Sequence, residues 1–368
     1  MQEKTSDVIV VGAGAWGLAC AWACLNRGLT VRVLEAQSIG AGASGGIVGA
    51  LSPHVPDQWN PKKQFQFEAL DQGADYWARI EEVSGQSSGY GRIGRWIPVM
   101  DEAGLTLAQT RQQNASTLWA SRYSWSVTRD VPPLMSPAAA PFGVVHETLS
   151  ARINPKAAVR ALATACRAKG CQIEEGESAL KIQNGSVQTQ TSTYAAKSII
   201  LAHGLLGLEW LSAEMGQPAG TGVKGQAALL DVALPSQPQI FADGVYVIPH
   251  SDGTVAVGST SENTWTHDGT DGLLDDVIDR AAALIPSLAD PSVLERWSGI
   301  RPKPVRRDPM LGPVPGKAGV FAALGAFKIG FGIMPKVGEV LADYAEGKYV
   351  NLPSSFTVHH HLKMPLPS

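Results

Sequence analysis

Three glycines and an acid, held at fixed spacing, are the first residues in the chain whose types suggest chemistry. Gly12-Ala-Gly14-Ala-Trp-Gly17 follows the β-branched run Val8-Ile9-Val10-Val11, and Glu35 lies 18 residues past Gly17. This is the pattern that holds a dinucleotide. Gly12 permits a tight turn, Gly14 lets a pyrophosphate reach bare backbone, and Gly17 lets a helix lie close to the strand. Free N–H groups and a partial positive charge at the helix N-terminus attract phosphate. Glu35 is placed to accept a hydrogen bond from a ribose hydroxyl. The surrounding elements agree: a strand over Val8–Val11, a helix from about Ala15 to Arg27 ended by Gly28, and a strand over Val31–Glu35.

A second glycine-rich stretch runs from Gly40 to Leu51. A nicotinamide has no evident need of it, whereas a flavin must lay its ribityl chain and ring against bare backbone. Gly42 to Gly46 also fits G-x-S-x-G, the nucleophile elbow of hydrolases. That elbow needs a strand before its serine, and Ala36–Gly40 reads as a loop, so hydrolase chemistry is not expected.

Other elements must carry these residues. Asn60-Pro61 opens a long helix to about Val83, and Ser84–Gly89 makes a break suited to a domain boundary. A strand over Ile93–Met100, a helix over Leu105–Trp119 and a proline-rich linker to Pro141 follow. Asn154-Pro155 caps another helix, with Val159, Leu162, Ala163 and Cys166 as its apolar stripe. A strand over Cys171–Glu174 and a hairpin about Asn184-Gly185, carrying the type I′ signal, lead to a buried strand over Lys197–Ala202. Between Gly216 and Trp297 the pattern gives strands around Gln226–Asp231, Gly244–Pro249 and Thr254–Ser259, then a helix over Leu273–Ile285. The last segment is a strand over Val320–Leu324, a glycine loop from Gly325 to Gly332, and a helix beginning near Pro335. Strand, glycine loop and helix N-terminus form a second anion-binding arrangement. Its expected load is the flavin N1–C2 carbonyl region, which becomes negative on reduction and is favoured by the helix dipole and Lys328.

Composition narrows the class. The chain has 368 residues, 44% hydrophobic and 17% charged, enough for two domains and a large core. A net charge of -3 gives no general attraction to nucleic acid or anionic membrane. The four cysteines, Cys20, Cys24, Cys166 and Cys171, have neither disulfide nor zinc spacing, which suits a reducing cytoplasm and no metal site. Val8 to Leu25 carries no charge, but its glycines and the strand that follows speak against a membrane span or export signal. His359-His360-His361 reads as a solvated tail.

Taken in order, the blocks GAGAWG with Glu35, GASGGIVGAL, VKGQ at Val223–Gln226, VYVIPHSDGTVAVGST, WSGIRP with DPMLGPVPG, and LGAFKIGFGIMPKVGEVLAD resemble the D-amino-acid oxidase superfamily of flavoproteins. Within it they are most similar to the glycine oxidase type used in thiamine biosynthesis. The resemblance implies an α/β fold (α+β overall), with a Rossmann-like FAD-binding domain over 1–84, 142–215 and 298–368. A substrate domain of mixed and antiparallel sheet takes up 85–141 and 216–297. It implies oxidation of a CH–NH bond in a small amino acid or amine, hydride transfer to flavin N5, imine hydrolysis, and reoxidation by O2 with release of hydrogen peroxide. Members that attach FAD covalently use a late cysteine. None follows Cys171, so FAD is expected to be non-covalent.

Carried over residue by residue, the resemblance places FAD on Gly12, Gly14, Ala15, Trp16 and Gly17, then on Glu35 and Ala36. It continues through Ala43, Ser44, Gly45, Gly46, Ile47, Val48 and Gly49, then Ala179, Ala202, His203 and Gly204. The last contacts are Phe327, Lys328, Ile329, Gly330, Phe331, Gly332 and Ile333. The substrate carboxylate falls to Arg301 and Tyr246; a guanidinium offers it two parallel donors. Lys328 departs from the family, whose glycine oxidases tend to carry arginine there, so it supplies a point charge instead of a fork. Lys303, Arg306 and Arg307 form a basic run that suits a solvated loop, a second acid group on the substrate, or a polyanion. No residue stands out as a catalytic base; His54, His203 and His250 are candidates that also fit structural roles. Other readings are a tRNA wobble-uridine carboxymethylamine oxidoreductase, an amino-acid dehydrogenase feeding quinone, and a non-catalytic flavin or NAD-binding protein. A homo-oligomer is expected.

Overall fold

Two eight-stranded sheets organise the computed structural model, which describes residues 4–234 and 237–363. In the first, Val320–Leu324, Thr193–Leu201, Lys4–Val11, Val31–Glu35 and Gln172–Glu175 lie side by side and parallel. Met310–Pro313 adds an antiparallel edge, and the hairpin Lys181–Gln183/Ser186–Gln188 pairs beside Thr193–Leu201. Parallel strands buried on both faces read as unbroken apolar runs. Val8 and Val10 pack into the core holding the helices Ala15–Leu25, Pro155–Ala168 and Gly330–Ala345, while Ile9 and Val11 pack on the other side with Leu208 and Leu211. The chain leaves Lys4–Val11 toward Val31–Glu35 and comes back on its other flank as Thr193–Leu201. The carboxyl ends at that reversal form the crevice in which such sheets bind ligands.

The second sheet runs Val293–Pro304, Gly220–Leu230, Val255–Gly258, Val245–Pro249, Gln239–Ala242, Arg95–Pro98, Val144–Glu147 and Trp125–Thr128. One of its faces, with Ala228, Leu230, Val245, Val247, Val255 and Val257, packs under the helix Gly272–Leu284 through Leu274, Val277 and Ala281. Val144–Glu147 lies inside the segment expected for the nucleotide half yet pairs here. Val293–Pro304 likewise runs past the expected boundary at 298.

Four local expectations are corrected. The long helix from Pro61 is two helices, Pro61–Asp71 and Gly73–Ser84. The Arg92 guanidinium takes the carbonyls of Leu70 (2.8 Å) and Asp71 (3.2 Å), which an unbroken helix would have used. The last helix starts at Gly330, so Pro335 lies inside it. In the hairpin turn only Gly185 has positive φ, so it is not type I′, which requires positive φ at both central residues. The histidine tail is not simply solvated. Val358–His361 is a short helix capped by the Thr357 side chain, and His361 is buried, with Nε2 3.2 Å from the Pro309 carbonyl. The uncharged run Val8 to Leu25 is strand, turn and helix, and no helix among the described residues is long and apolar enough to cross a membrane.

Two predictions follow from the packing. A Cβ on Gly338 would stand 2.5 Å from the Ala19 carbonyl oxygen, so Gly338→Ala should push the first and last helices apart and cost about 1–3 kcal/mol, read as a lowered Tm. Burial holds His361 at about 4, the hydrogen bond to Pro309 acting the other way. An unfolded histidine therefore binds a proton near pH 6.5 that the folded chain refuses. Stability is full above that pH and falls as pH drops from about 6.5 to 4, by roughly 3 kcal/mol from this group. On acidification from pH 7 to 4.5 the Tm of His361→Gln should fall less than that of the wild type; parallel curves would refute the assignment.

Candidate active site

The carboxyl edge of the parallel sheet meets the second sheet across the segment Ala43–Gly49. Gly12 has φ +103°, and a Cβ there would lie 2.7 Å from the Ala202 carbonyl oxygen, so the turn presses bare backbone on the end of the neighbouring strand. A Cβ on Gly17 would stand 1.9 Å from the Gly12 carbonyl oxygen. Helix and strand can approach this closely only through glycine. The Glu35 carboxylate accepts the Ala13 N–H (2.7 Å) and the Gln37 N–H (3.0 Å), which fixes it at the sheet edge with exposed Ala36 beside it. Ala179 lies in the loop whose Glu177 N–H reaches the Glu35 carbonyl at 2.8 Å. Ser44 sits in the 3-10 turn Ala43–Gly45, with Gly46 as its cap, and its Oγ accepts the Ala15 N–H at 2.9 Å. No strand leads directly into it, so no nucleophile elbow forms. The Ala202 N–H donates to the Val11 carbonyl at 2.8 Å, and His203 begins the helix Gly204–Met215.

The far end of the chain comes to the same edge. Phe327, Lys328 and Ile329 form a turn into the helix Gly330–Ala345, with Gly332 and Ile333 buried behind Phe331. The Trp16 indole N–H donates to the Gly330 carbonyl at 2.9 Å. Neither the first turn of this helix nor that of Ala15–Leu25 carries an acidic side chain, which leaves both N-termini to an anion.

The expected substrate residues share one face of the second sheet. Tyr246 stands opposite Gly258, Gly258 opposite Ala227, and Ala227 opposite Trp297. Arg301 lies four residues beyond Trp297 on the same strand, so strand alternation turns it to the side that Tyr246 occupies. Gly225 and Gly299 face each other between them. A Cβ on Gly225 would lie 2.1 Å from both terminal nitrogens of Arg301, so the guanidinium rests on that glycine. It donates to the Ser259 hydroxyl (2.7 Å) and the Thr260 carbonyl (3.2 Å). Burial lowers its pKa, Glu262 acting against this, and among the described residues no carboxylate pairs with it. Lys328 is exposed, its Nζ 5.6 Å from the centre of the Phe327 ring; burial and then the charges of Arg301, Arg307 and Lys303 lower its pKa. The face abuts the segment Ala43–Gly49: a Cβ on Gly258 would meet Val48 at 2.6 Å, and one on Gly46 would meet Trp297 at 3.2 Å.

Of the three histidines, His250 makes a structural hydrogen bond, whereas among the described residues the side chains of His203 and His54 make none. His250 is buried, with Nε2 3.0 Å from the Ile47 carbonyl, which steadies the run to Gly49. Desolvation takes His203 down to about 4, so its ring is neutral beside Gly207. His54 lies by Lys62 and Lys63, and its pKa is lowered by burial and by their charges. Sequence reasoning missed Ser259, Thr260, Trp297 and Gly225. The period-2 spacing of Trp297, Gly299 and Arg301 was the signal that could have gathered part of this set; the contact with Ser259 and Thr260 depends on strand pairing that no local pattern encodes.

A family model described as FAD dependent oxidoreductase matches residues 7–344. The chain belongs to this family. Its cofactor is FAD, and it oxidises C–N bonds of amino acids or amines. The glycine oxidase of Geobacillus kaustophilus is 27% identical over 379 residues, covering 96% of this chain and 97% of that one. The glycine oxidase of Pseudomonas putida is 28% identical over 363 residues, covering 93% and 95%. The crystal structure of glycine oxidase from Geobacillus kaustophilus has the same fold, with a TM-score of 0.85 at 23% identity, covering 96% of this chain and 98% of that one.

The cradle of this FAD dependent oxidoreductase fits its cofactor: glycines at Gly12 and Gly17 that no larger residue could replace, two helix N-termini with no acidic side chain in their first turn, and an acid at the end of the second strand. Glu35→Gln should weaken FAD binding to the apoprotein by about ten-fold, the scale of one hydrogen bond to a charged group. Titrating apoprotein with FAD by fluorescence checks it; an unchanged Kd would remove Glu35 from the cofactor site.

Proposed function

We propose that this enzyme oxidises glycine, sarcosine or a closely related small amino acid and gives the electrons to oxygen, releasing hydrogen peroxide. The observation that carries the reading is the part-buried Arg301 guanidinium, held by two neutral acceptors and matched by no carboxylate among the described residues. A buried charge without its counter-charge is costly, and a substrate carboxylate would supply one. Tyr246, on the same face, is the second donor. Gly225, Gly258 and Gly299 let Arg301, Val48 and Trp297 lie directly against the sheet. FAD, when bound, takes up the hydride from the carbon next to the substrate nitrogen.

The protein's part is positioning. Glu262 is not free to act as a base, because it accepts from the Thr260 hydroxyl and from the Gln226 amide (3.0 Å) and pairs with Lys224 (3.4 Å). An amine that arrives neutral needs orientation and exclusion of water more than proton removal. A cysteinyl link to FAD does not suit this chain: all four cysteines are buried, and burial pushes the Cys24 and Cys171 thiols up to about 12, far from the reactive thiolate.

A peroxide-coupled panel of amino acids and amines tests the reading, together with anaerobic bleaching of the flavin by glycine or sarcosine. Arg301→Ala should raise KM for carboxylate substrates about 100-fold, the loss of a charge-assisted pair. Unaltered kinetics in that variant would take Arg301 out of the site. Turnover with a quinone-type acceptor but no peroxide in air would assign a dehydrogenase instead.

A further inference from the structure

Lys224 is fully buried, and no other described lysine is. An ammonium out of water needs partners. Lys224 has two, the carboxylates of Glu262 and Asp271, each at 3.4 Å. Its backbone pairs with Glu262 as well: the Lys224 N–H donates to the Glu262 carbonyl at 3.0 Å, and the Glu262 N–H donates back at 2.9 Å. The Gln226 amide bridges the two acids, donating to Glu262 (3.0 Å) and to Asp271 (2.8 Å). Thr260 joins this knot to the substrate face. Its hydroxyl donates to Glu262, while its carbonyl accepts from Arg301 at 3.2 Å. Glu262 therefore contacts one cation, Lys224, and lies one threonine away from a second, Arg301.

We infer that Lys224 is a positioning residue for carboxylate binding: by holding Glu262 it keeps that acid from pairing with Arg301, and so leaves the guanidinium to the substrate. The inference rests on Arg301 being the carboxylate anchor. Lys224 acts indirectly, since alternation along the strand turns it to the reverse of Gly225, the residue on which Arg301 rests. Without its ammonium, Glu262 and Asp271 would meet across the Gln226 amide with no cation between them. The Asp271 side chain is 34% exposed and can turn to water, whereas that of Glu262 is only 10% exposed. The next cation along the hydrogen-bond chain from Glu262, through Thr260, is Arg301. A carboxylate supplied from within the protein would then fill the place meant for the substrate's. An apolar side chain at 224 could serve packing, but it could not keep Glu262 engaged.

The test uses holoenzyme and methoxyacetate, which carries a carboxylate but no oxidisable N–H, titrated by its effect on the flavin absorbance. Lys224→Met should weaken its binding about ten-fold and raise KM for sarcosine in step, with kcat held within about two-fold. Adding Glu262→Gln to the same chain keeps an acceptor for Thr260 and Gln226 but removes the charge. The double variant should recover the affinity to within about three-fold of the wild type. A loss of packing alone would not be repaired by a second change in the same knot. Wild-type affinity in Lys224→Met, or a loss that persists in the double variant, overturns the role of Lys224 while leaving Arg301 as anchor. If Lys224→Met yields no folded holoenzyme, the double variant decides: near-wild-type affinity supports the role, and a loss of about ten-fold or more overturns it. If Arg301→Ala binds methoxyacetate as well as the wild type does, the anchor reading falls and the role of Lys224 falls with it.

Discussion

Backbone touches backbone around the helix Ala15–Leu25, and the rest of the protein depends on that closeness. Gly17 brings its first turn onto the Gly12 carbonyl, and Gly338 brings the last helix onto the Ala19 carbonyl. On a third side the Cys166 thiol reaches the Leu18 carbonyl at 3.7 Å. Between these contacts the helix is mostly alanine, cysteine and glycine, with Trp16, Leu18, Trp22 and Leu25 as its larger side chains. Trp16 joins the two ends of the chain through the Gly330 carbonyl. Two helix N-termini, separated by more than three hundred residues of sequence, are thereby aimed along one sheet edge. A cofactor with phosphates at one end and a ring that gains charge at the other needs that pair of positive poles together.

The second sheet divides its labour by face. Large β-branched and leucine side chains go to the side covered by Gly272–Leu284, where area removed from water stabilises the fold. The other side is stripped to Gly225, Gly258, Gly299 and Ala227, with Tyr246, Trp297 and Arg301 standing among them. Behind Gly225, on the reverse of the same strand, Lys224 and Gln226 are fully buried and bound to Glu262 and Asp271. That polar knot also holds the Ser259–Glu262 segment: the Gln226 N–H donates to the Thr260 hydroxyl at 2.9 Å, and the Glu262 N–H to the Lys224 carbonyl at 2.9 Å. The acceptors that grip Arg301 are thus fixed from beneath, which is how a loop can position a guanidinium as firmly as a strand does.

How much of this could be read from the residues follows from the range of the forces involved. The βαβ unit, the capped helix at Pro155 and the buried stripe of Val159, Leu162 and Cys166 depend on neighbours within a few residues, and the pattern showed them. The break after Asp71 was hidden because its cause, Arg92, acts across space on two carbonyls. The early start at Gly330 was hidden because Pro335 was read as a first-turn residue, whereas the packing of Gly338 on Ala19 holds a helix that runs through it. His361 looked solvated beside two other histidines, yet Val358 and Leu362 carry it into the core. Family blocks placed Arg301 and Tyr246 on the list of candidates; only strand register shows that they share a face.

The state of Arg301 links fold to function. Taking a guanidinium out of water is unfavourable, and two neutral oxygens recover only part of the loss. The nearby acid that could have balanced it, Glu262, is spent on Lys224, Gln226 and Thr260. A fold selected for stability alone would have let that carboxylate turn to the arginine, or placed an apolar side chain there. Instead the positive charge is left without a carboxylate beside Gly225, and the partial burial that makes it costly also strengthens its pull on an anion, because less water screens the pair. On the proposed reading, that binding energy is released when a substrate carboxylate arrives with its nitrogen and neighbouring carbon in tow.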